Sequence, residues 1–248
     1  MSLGFGCGKQ PACIGIDGCR GGWVWCGRLD GRWQGGVAER LHQLDWLGNV
    51  RLALIDMPIG LVSRGEQERR CDREARALLS RPRASSVFRP PCRAALEAPD
   101  YVSACALNRA HTGVALSKQT WNLSPKIREL DQFLAARRGL RRCLREAHPE
   151  LCLWGLAGGR SMQHNKRTTR GQQERLGLLR DLDQDCMPMI DSLERMHLRR
   201  ILALDDIIDA AVLALTAAEA LCNGIRCLPP QAELDDRGLP MQLLFVSR

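Results

Sequence analysis

The chain of 248 residues is 45% hydrophobic and 26% charged, with 23 Gly and 12 Pro, which excludes a disordered or collagen-like polymer and leaves ample material for a core. No apolar run reaches the roughly 18 residues a membrane helix needs, so a soluble protein without a membrane partner is expected. Lys plus Arg exceed Asp plus Glu by 36 − 28 = 8, a basic balance that favours a polyanionic partner and says nothing about fold.

Residues 1–12 are expected to be a flexible lead-in, and 13–248 a single domain with an insert at about 63–139. Cys13-Ile14-Gly15-Ile16-Asp17 reads as a short strand ending in a carboxylate, and a glycine-rich link leads to a second strand, Trp23 to Cys26. Asp30-Gly31 signals a hairpin, with Arg32 to Val37 returning. A short helix is expected from Glu39 to Trp46, with Leu41, Leu44 and Leu47 on one face. Leu52 to Asp56 is an uninterrupted apolar run, the signature of a strand buried on both faces, and it too ends in an acid.

Ser63-x-x-Glu66 has the form of a capping box opening a helix through about Leu79, and residues 80–124 look irregular. Between 64 and 93 stand nine Arg against four acids, a basic stretch suited to a polyanion. Further basic stretches follow at 137–145 and 160–175. Ser124-Pro125 marks a helix start, with Ile127, Leu130, Phe133 and Leu134 as its apolar stripe and Gly139 beyond its end. Leu140 to Ala147 is predicted as a strand stopped by His148-Pro149, and 160–200 as loop plus helix. The last helix is expected near Asp205, its N-cap, with Asp206 and Asp209 at the rim of its apolar stripe. Leu239 to Val246 closes the chain as an edge strand. The twelve cysteines form no Cys-x-x-Cys pair and no signal-peptide pattern opens the chain, which predicts a reduced, cytoplasmic protein whose cysteines pack as small hydrophobes.

Asp17, Asp56 and Glu146 each end an apolar strand, and in a helix-covered sheet such ends open onto the ligand crevice. Asp206 and Asp209 would reach the same edge from a helix packed on that sheet. Carboxylates brought that close repel unless a cation lies among them, and oxygen donors in this number suit Mg²⁺ or Mn²⁺ rather than zinc. Two such ions about 4 Å apart stabilise the attacking and leaving oxygens of a phosphodiester displacement. A single acid after a strand is more often a turn residue, so the case rests on their convergence.

Strand, hairpin, helix and strand in this order, with acids at Asp17 and Asp56 and an Asp206-x-x-Asp209-Ala210 helix head, resemble the ribonuclease H-like superfamily, the ending being similar to its Holliday-junction resolvase branch. More specifically, Gly15-Ile16-Asp17-Gly18-Cys19-Arg20-Gly21-Gly22-Trp23 and Ile55-Asp56-Met57-Pro58-Ile59-Gly60-Leu61 resemble the domain-of-unknown-function family numbered 429. So do Arg70-x-Asp72-x-x-Ala75-Arg76, Pro125-Lys126-Ile127-x-Glu129-x-Asp131 and Glu146-x-His148-Pro149-Glu150, and the matches run in order from about residue 13 to 240. The resemblance implies an α/β fold with a mixed five-stranded sheet, helices on both faces and an α/irregular insert after the fourth strand. It also implies a predicted nuclease acting on DNA or RNA. By the same resemblance Asp17 bridges two metal ions, Asp56 and Asp209 are the next ligands, and Asp206 or Glu146 completes the set. His148 is then a candidate general acid/base, and Lys126, Lys166 and Arg20 are candidates for holding substrate phosphate.

Two other classes compete. An actin-like phosphotransferase or ATPase shares the strand order and the first-strand Asp-Gly, but needs two such domains. Gly4-Phe5-Gly6-Cys7-Gly8-Lys9 superficially resembles a phosphate loop, yet Gln10 stands where Ser or Thr is required. A non-catalytic nucleic-acid-binding protein of the same fold would use the basic stretches equally well.

Overall fold

The computed structural model describes residues 12–63, 65 and 68–248. The predicted lead-in, all but its last residue, and the Gly4–Lys9 segment lie outside them, as does Glu66 of the proposed capping box. The elements run β1 (Cys13–Cys19), β2 (Gly22–Leu29), β3 (Arg32–Ala38), β4 (Leu52–Ile55), α1 (Arg70–Arg83), α2 (Arg93–Leu96), α3 (Tyr101–Thr112) and α4 (Lys118–Ala136). Then come β5 (Leu144–Glu146), α5 (Pro149–Leu156), α6 (Thr169–Leu182), α7 (Met187–Met196), α8 (Leu204–Asn223), β6 (Arg226–Leu234) and β7 (Pro240–Phe245).

β1 to β5 form one mixed sheet in the order β3-β2-β1-β4-β5, antiparallel through β3, β2 and β1 and parallel through β1, β4 and β5. This is an α/β fold consistent with the ribonuclease H-like arrangement. The hairpin turns at Asp30 and Gly31, both with positive φ (50° and 78°), as a primed turn between twisted strands requires. The two-residue alternation of strand side chains then sorts the core. Cys13, Leu52 and Leu54 face one side, packed with α8, α5 and α7, while Ile14, Ile16, Ala53 and Ile55 face the other, packed with α4. The helices therefore cover both faces, and α4, placed by sequence in an insert, supplies the cover of the second.

Gly15 explains how α8 comes so close. A Cβ there would lie 2.0 Å from the Ala210 carbonyl oxygen and 2.4 Å from the Ala214 nitrogen, so only glycine lets the helix backbone rest on β1. Neither contact is a flexible side-chain tip, so the helix itself must shift. Gly15→Ala is expected to cost the upper end of about 1–3 kcal/mol for overpacking. For a chain this size that lowers Tm by roughly 6–12 °C, read by thermal unfolding.

Several expectations are corrected. The 39–46 segment forms two 3₁₀ turns, Leu41–Gln43 and Asp45–Asn49, and its buried leucines at 41, 44 and 47 follow the three-residue period of that helix rather than 3.6. α1 starts at Arg70, beyond the proposed cap, and its regular part ends at Leu79, because Ser80 takes φ 53° and breaks it. The stretch 80–124 is not irregular. It carries α2 and α3, and α4 starts at Lys118, where the Ser117 hydroxyl caps the Thr120 amide at 3.0 Å. Pro125 lies inside α4, not at its start.

β5 spans only Leu144–Glu146, after a 3₁₀ turn, and His148-Pro149 opens α5 with Pro in its first turn, the position that needs no amide hydrogen. Residues 160–200 hold two α-helices, α6 and α7. The predicted final strand is β7, but it pairs with β6 in a separate two-stranded sheet, which meets the main one through an isolated bridge, Ala147 to Leu244, and the Arg145–Gln242 hydrogen bond at 2.6 Å. Among the described residues the eleven cysteines form no disulfide, and most are buried.

Candidate metal centre

Strand register decides which acids meet. In the β1/β4 pair Gly15 stands beside Leu54 and Ile16 beside Ile55, and the Asp56 amide donates to the Ile16 carbonyl at 2.9 Å. One residue further along each strand, Asp17 and Asp56 leave the sheet side by side on the face that α8 covers. α8 begins at Leu204, with Ala203 as its N-cap rather than Asp205. Because the close approach at Gly15 sinks this helix onto the sheet, Asp209 is 1% exposed and not at a rim. Asp17, Asp56 and Asp209 each offer a carboxylate oxygen within 4.8 Å of the others.

This cluster carries the electrostatic mark of like charges forced together. Burial, then Asp56 and Asp209, push the Asp17 carboxyl well above the usual carboxylate range. Burial drives Asp56 up to about 7, with Lys166 opposing and Asp209 and Glu150 adding to the rise. The Asp17 Oδ1 accepts the Gly18 amide at 2.6 Å, whereas Asp209 Oδ1 is buried with no hydrogen-bond partner. An orphaned anionic oxygen beside two more acids fits a cation, and a hard one, since every donor is oxygen. The cluster could hold a metal ion.

Lys166 reaches the cluster from the loop before α6, its ammonium on Asp209 Oδ2. Burial pulls its pKa down, but Asp209, Asp17 and Asp56 outweigh that and hold it above the ordinary lysine value. Asp206, one turn before Asp209, is tied back to the Ala203 amide at 3.4 Å, and burial together with Asp205 raises it to about 6. It borders the cluster without joining its three-oxygen group.

Glu146 is not brought there. It stands in register with Ile55, whose side chain faces α4, so Glu146 leaves the sheet on the side opposite Asp56. Both its oxygens are taken by the Arg69 guanidinium at 2.7 Å, and Oε2 also accepts the Ile59 amide at 2.6 Å. It thereby anchors Arg69 and the turn after β4.

His148 donates from Nε2 to the Ser86 carbonyl at 3.3 Å, burial lowers its pKa, and its buried Nδ1 has no partner among the described residues. Glu150, two residues on, is a neighbour of the site that sequence reasoning misses. It pairs through Oε1 with buried Arg175, leaves Oε2 buried and unpartnered, and adds negative potential at Asp56. Its signal is the spacing Glu146-x-His148-Pro149-Glu150, which starts a helix at His148 and turns Glu150 back towards the sheet edge.

Lys126 and Arg20 belong to an adjoining cavity of about 1030 Å³, which Asp206 and Gly18 also line. Lys126 Nζ donates to the Gly22 carbonyl and lies 4.6 Å from the Trp23 ring centroid. The basic stretch at 64–93 is largely neutralised internally instead. Arg69 pairs with Asp72 and Glu146, Arg70 with Glu74, Arg76 and Arg89 with Glu68, and Arg93 with Asp131 and Asp235.

Among the described residues no helix is long and apolar enough to cross a membrane. Comparison with curated proteins and with solved structures gave no match. The profile of one family, described as "Protein of unknown function (DUF429)", matches residues 15–234, a span that contains all three clustered acids, Lys166, His148 and the whole five-stranded sheet except the first residues of β1. The chain belongs to the DUF429 family.

Proposed function

We propose that the protein is a metal-dependent nuclease that hydrolyses phosphodiester bonds in DNA or RNA, with Mg²⁺ or Mn²⁺ held by Asp17, Asp56 and Asp209 and a second ion bordered by Asp206. The observation that carries this reading is the buried three-carboxylate group with its unpartnered Asp209 oxygen. Divalent ions there supply Lewis-acid charge and a water of lowered pKa. The chain's own part is to hold three hard oxygens in one place, with the Asp17 and Asp56 backbones fixed by the β1/β4 register and that of Asp209 by the close approach of α8 at Gly15, and to keep His148 beside them as the candidate general acid/base. Cations around the adjoining cavity would meet the substrate's phosphates.

Metal titration followed by thermal unfolding tests the site directly. Excess Mn²⁺ at about 100 times its Kd is expected to raise Tm by roughly 5–10 °C. The pH dependence has a defined sign. Asp56 and Asp206 keep protons in the folded chain up to about 7 and 6, while the unfolded chain loses them near the ordinary carboxylate value. Between those limits the folded state binds more protons, so without metal stability falls as pH rises through that window. Metal displaces those protons, so the Mn²⁺ shift grows over the same window. Cleavage of labelled oligonucleotides with Mg²⁺ or Mn²⁺ tests the activity itself.

One observation favours a second reading. Lys166 already supplies a cation to Asp209, as a non-catalytic nucleic-acid-binding member of this fold would require. In that case Mn²⁺ leaves Tm unchanged at every pH. The phosphotransferase alternative gains nothing, since among the described residues there is one five-stranded sheet and no facing copy of it.

A further inference from the structure

The cavity beside the acids has a composition that goes past a general attraction to polyanions. Six cations line it: Arg20, Arg40, Lys126, Arg167, Arg199 and Arg200. Two are engaged already, Arg40 with Glu129 at 3.7 Å and Lys126 with the Gly22 carbonyl. The guanidinium groups of Arg20, Arg167, Arg199 and Arg200 have neither hydrogen bond nor ion pair among the described residues, and all four residues are exposed. That contrasts with the arginines of 64–93, most of which are neutralised internally. Of the acids in the lining, Glu129 is occupied by the Trp23 indole at 3.2 Å and the Leu41 amide at 2.7 Å.

The four free arginines come from three separate segments, yet two of those segments are fastened together. The Gly21 amide donates to the Ile201 carbonyl at 2.8 Å, and a Cβ at Gly21 would meet Ile201 Cγ2 at 2.5 Å. The turn bearing Arg20 is therefore locked against the loop bearing Arg199 and Arg200. Arg167 stands one residue after Lys166, which is anchored on Asp209. The Gly21–Ile201 backbone bond thus holds two of these segments together, and the Lys166–Asp209 ion pair ties the third to the acids.

Among the described residues no aromatic side chain lines the cavity. Proteins that bind single strands combine a basic groove with aromatic platforms on which unpaired bases stack. A duplex stacks its own bases and asks only for contacts to phosphate, which carry no sequence information.

Resting on the nuclease reading above, we propose that this cavity seats the sugar-phosphate backbone of duplex nucleic acid, without sequence preference, through Arg20, Arg167, Arg199 and Arg200. The test is fluorescence anisotropy of the full chain with labelled duplexes of several sequences, and with single strands of equal length, in EDTA across a salt series. Duplexes are expected to bind alike whatever their sequence and more tightly than single strands, with log K falling linearly in log salt. The Arg199→Ala/Arg200→Ala variant is expected to weaken all duplexes equally and to reduce the salt slope by about 1.8, or about 0.9 per phosphate contact. A variant that binds with the wild-type slope, or a wild type that prefers single strands, overturns the proposal. An unchanged Mn²⁺ shift in Tm shows that the variant is folded. Because binding is read in EDTA, failure of the metal site leaves this result standing, and failure of binding leaves the metal titration standing.

Discussion

Asp17→Asn is expected to abolish the Mn²⁺ shift in Tm and to lower metal-dependent cleavage by about 10³-fold or more, the equivalent of several kcal/mol of lost metal-borne stabilisation. The substitution keeps the size of the side chain and its capacity to accept the 2.6 Å bond from the Gly18 amide, so the turn after β1 survives. What it removes is one of three mutually repelling carboxylates. The metal-free variant should therefore melt at or above the wild-type temperature, since burial and its two neighbours already disfavour the Asp17 charge. Lost activity with undiminished stability separates a site residue from a structural one. If the Asp17→Asn variant cleaves as fast as the wild type, the activity comes from a contaminant and the nuclease reading falls. Lys166→Met extends the test with the opposite sign. Without its ammonium the acids lose the counter-charge in contact with Asp209, so the metal-free chain loses stability while the Mn²⁺ shift grows. A protein that uses Lys166 as its permanent counter-ion would show the loss without the gain.

How far the site could be read beforehand depended on what each residue's position rests on. Asp17 and Asp56 were legible because two short apolar strands, each with a terminal acid, specify their own faces by alternation. Asp209 was legible as the second acid of an Asp-x-x-Asp helix head, but its depth was not. That depth follows from Gly15, whose missing side chain matters only once the helix is seen lying on it. Glu146 ends a strand by the same local rule as Asp56, yet registers with Ile55 instead of standing beyond it, and one residue of register sends it to the other face. Local pattern carries no information about that offset. α3 escaped because its buried positions are Ala104, Asn108 and Thr112, a helical stripe with almost no hydrophobic contrast. Its Asn108 is satisfied by side-chain bonds to Thr112 and to the Val114 carbonyl, which no hydropathy pattern registers. β6 escaped because Pro229 and Pro230 lie within it, and proline argues against a strand in any local reading.

The same displacement of Glu146 yields the largest stability effect. Arg69→Ala is expected to destabilise the protein by about 3–5 kcal/mol, since it leaves two buried carboxylates without their cation. The Arg69 guanidinium meets Asp72 through Nε at 2.9 Å and Nη2 at 2.7 Å, meets Glu146 through both Nη atoms at 2.7 Å, and donates from Nη1 to the Ile59 and Gly60 carbonyls at 3.2 Å. Arg69 and Asp72 are each 2% exposed and Glu146 4%, so water cannot replace a lost partner without opening the core. Arg69→Lys should rescue little, because an ammonium cannot span both carboxylates with paired bonds. Removing the carboxylate as well changes the balance: Arg69→Met/Glu146→Leu should recover part of the loss, as buried ion pairs do when replaced by packed apolar groups. Glu146→Gln then decides its role. If Glu146 ligated metal, this change would weaken the Mn²⁺ shift in Tm as Asp56→Asn must. The network instead predicts a lower melting temperature with the metal shift intact, because Glu146 holds the Met57–Gly60 exit from β4 in place, whereas Asp56 lies on the opposite face with the acids that could hold a cation.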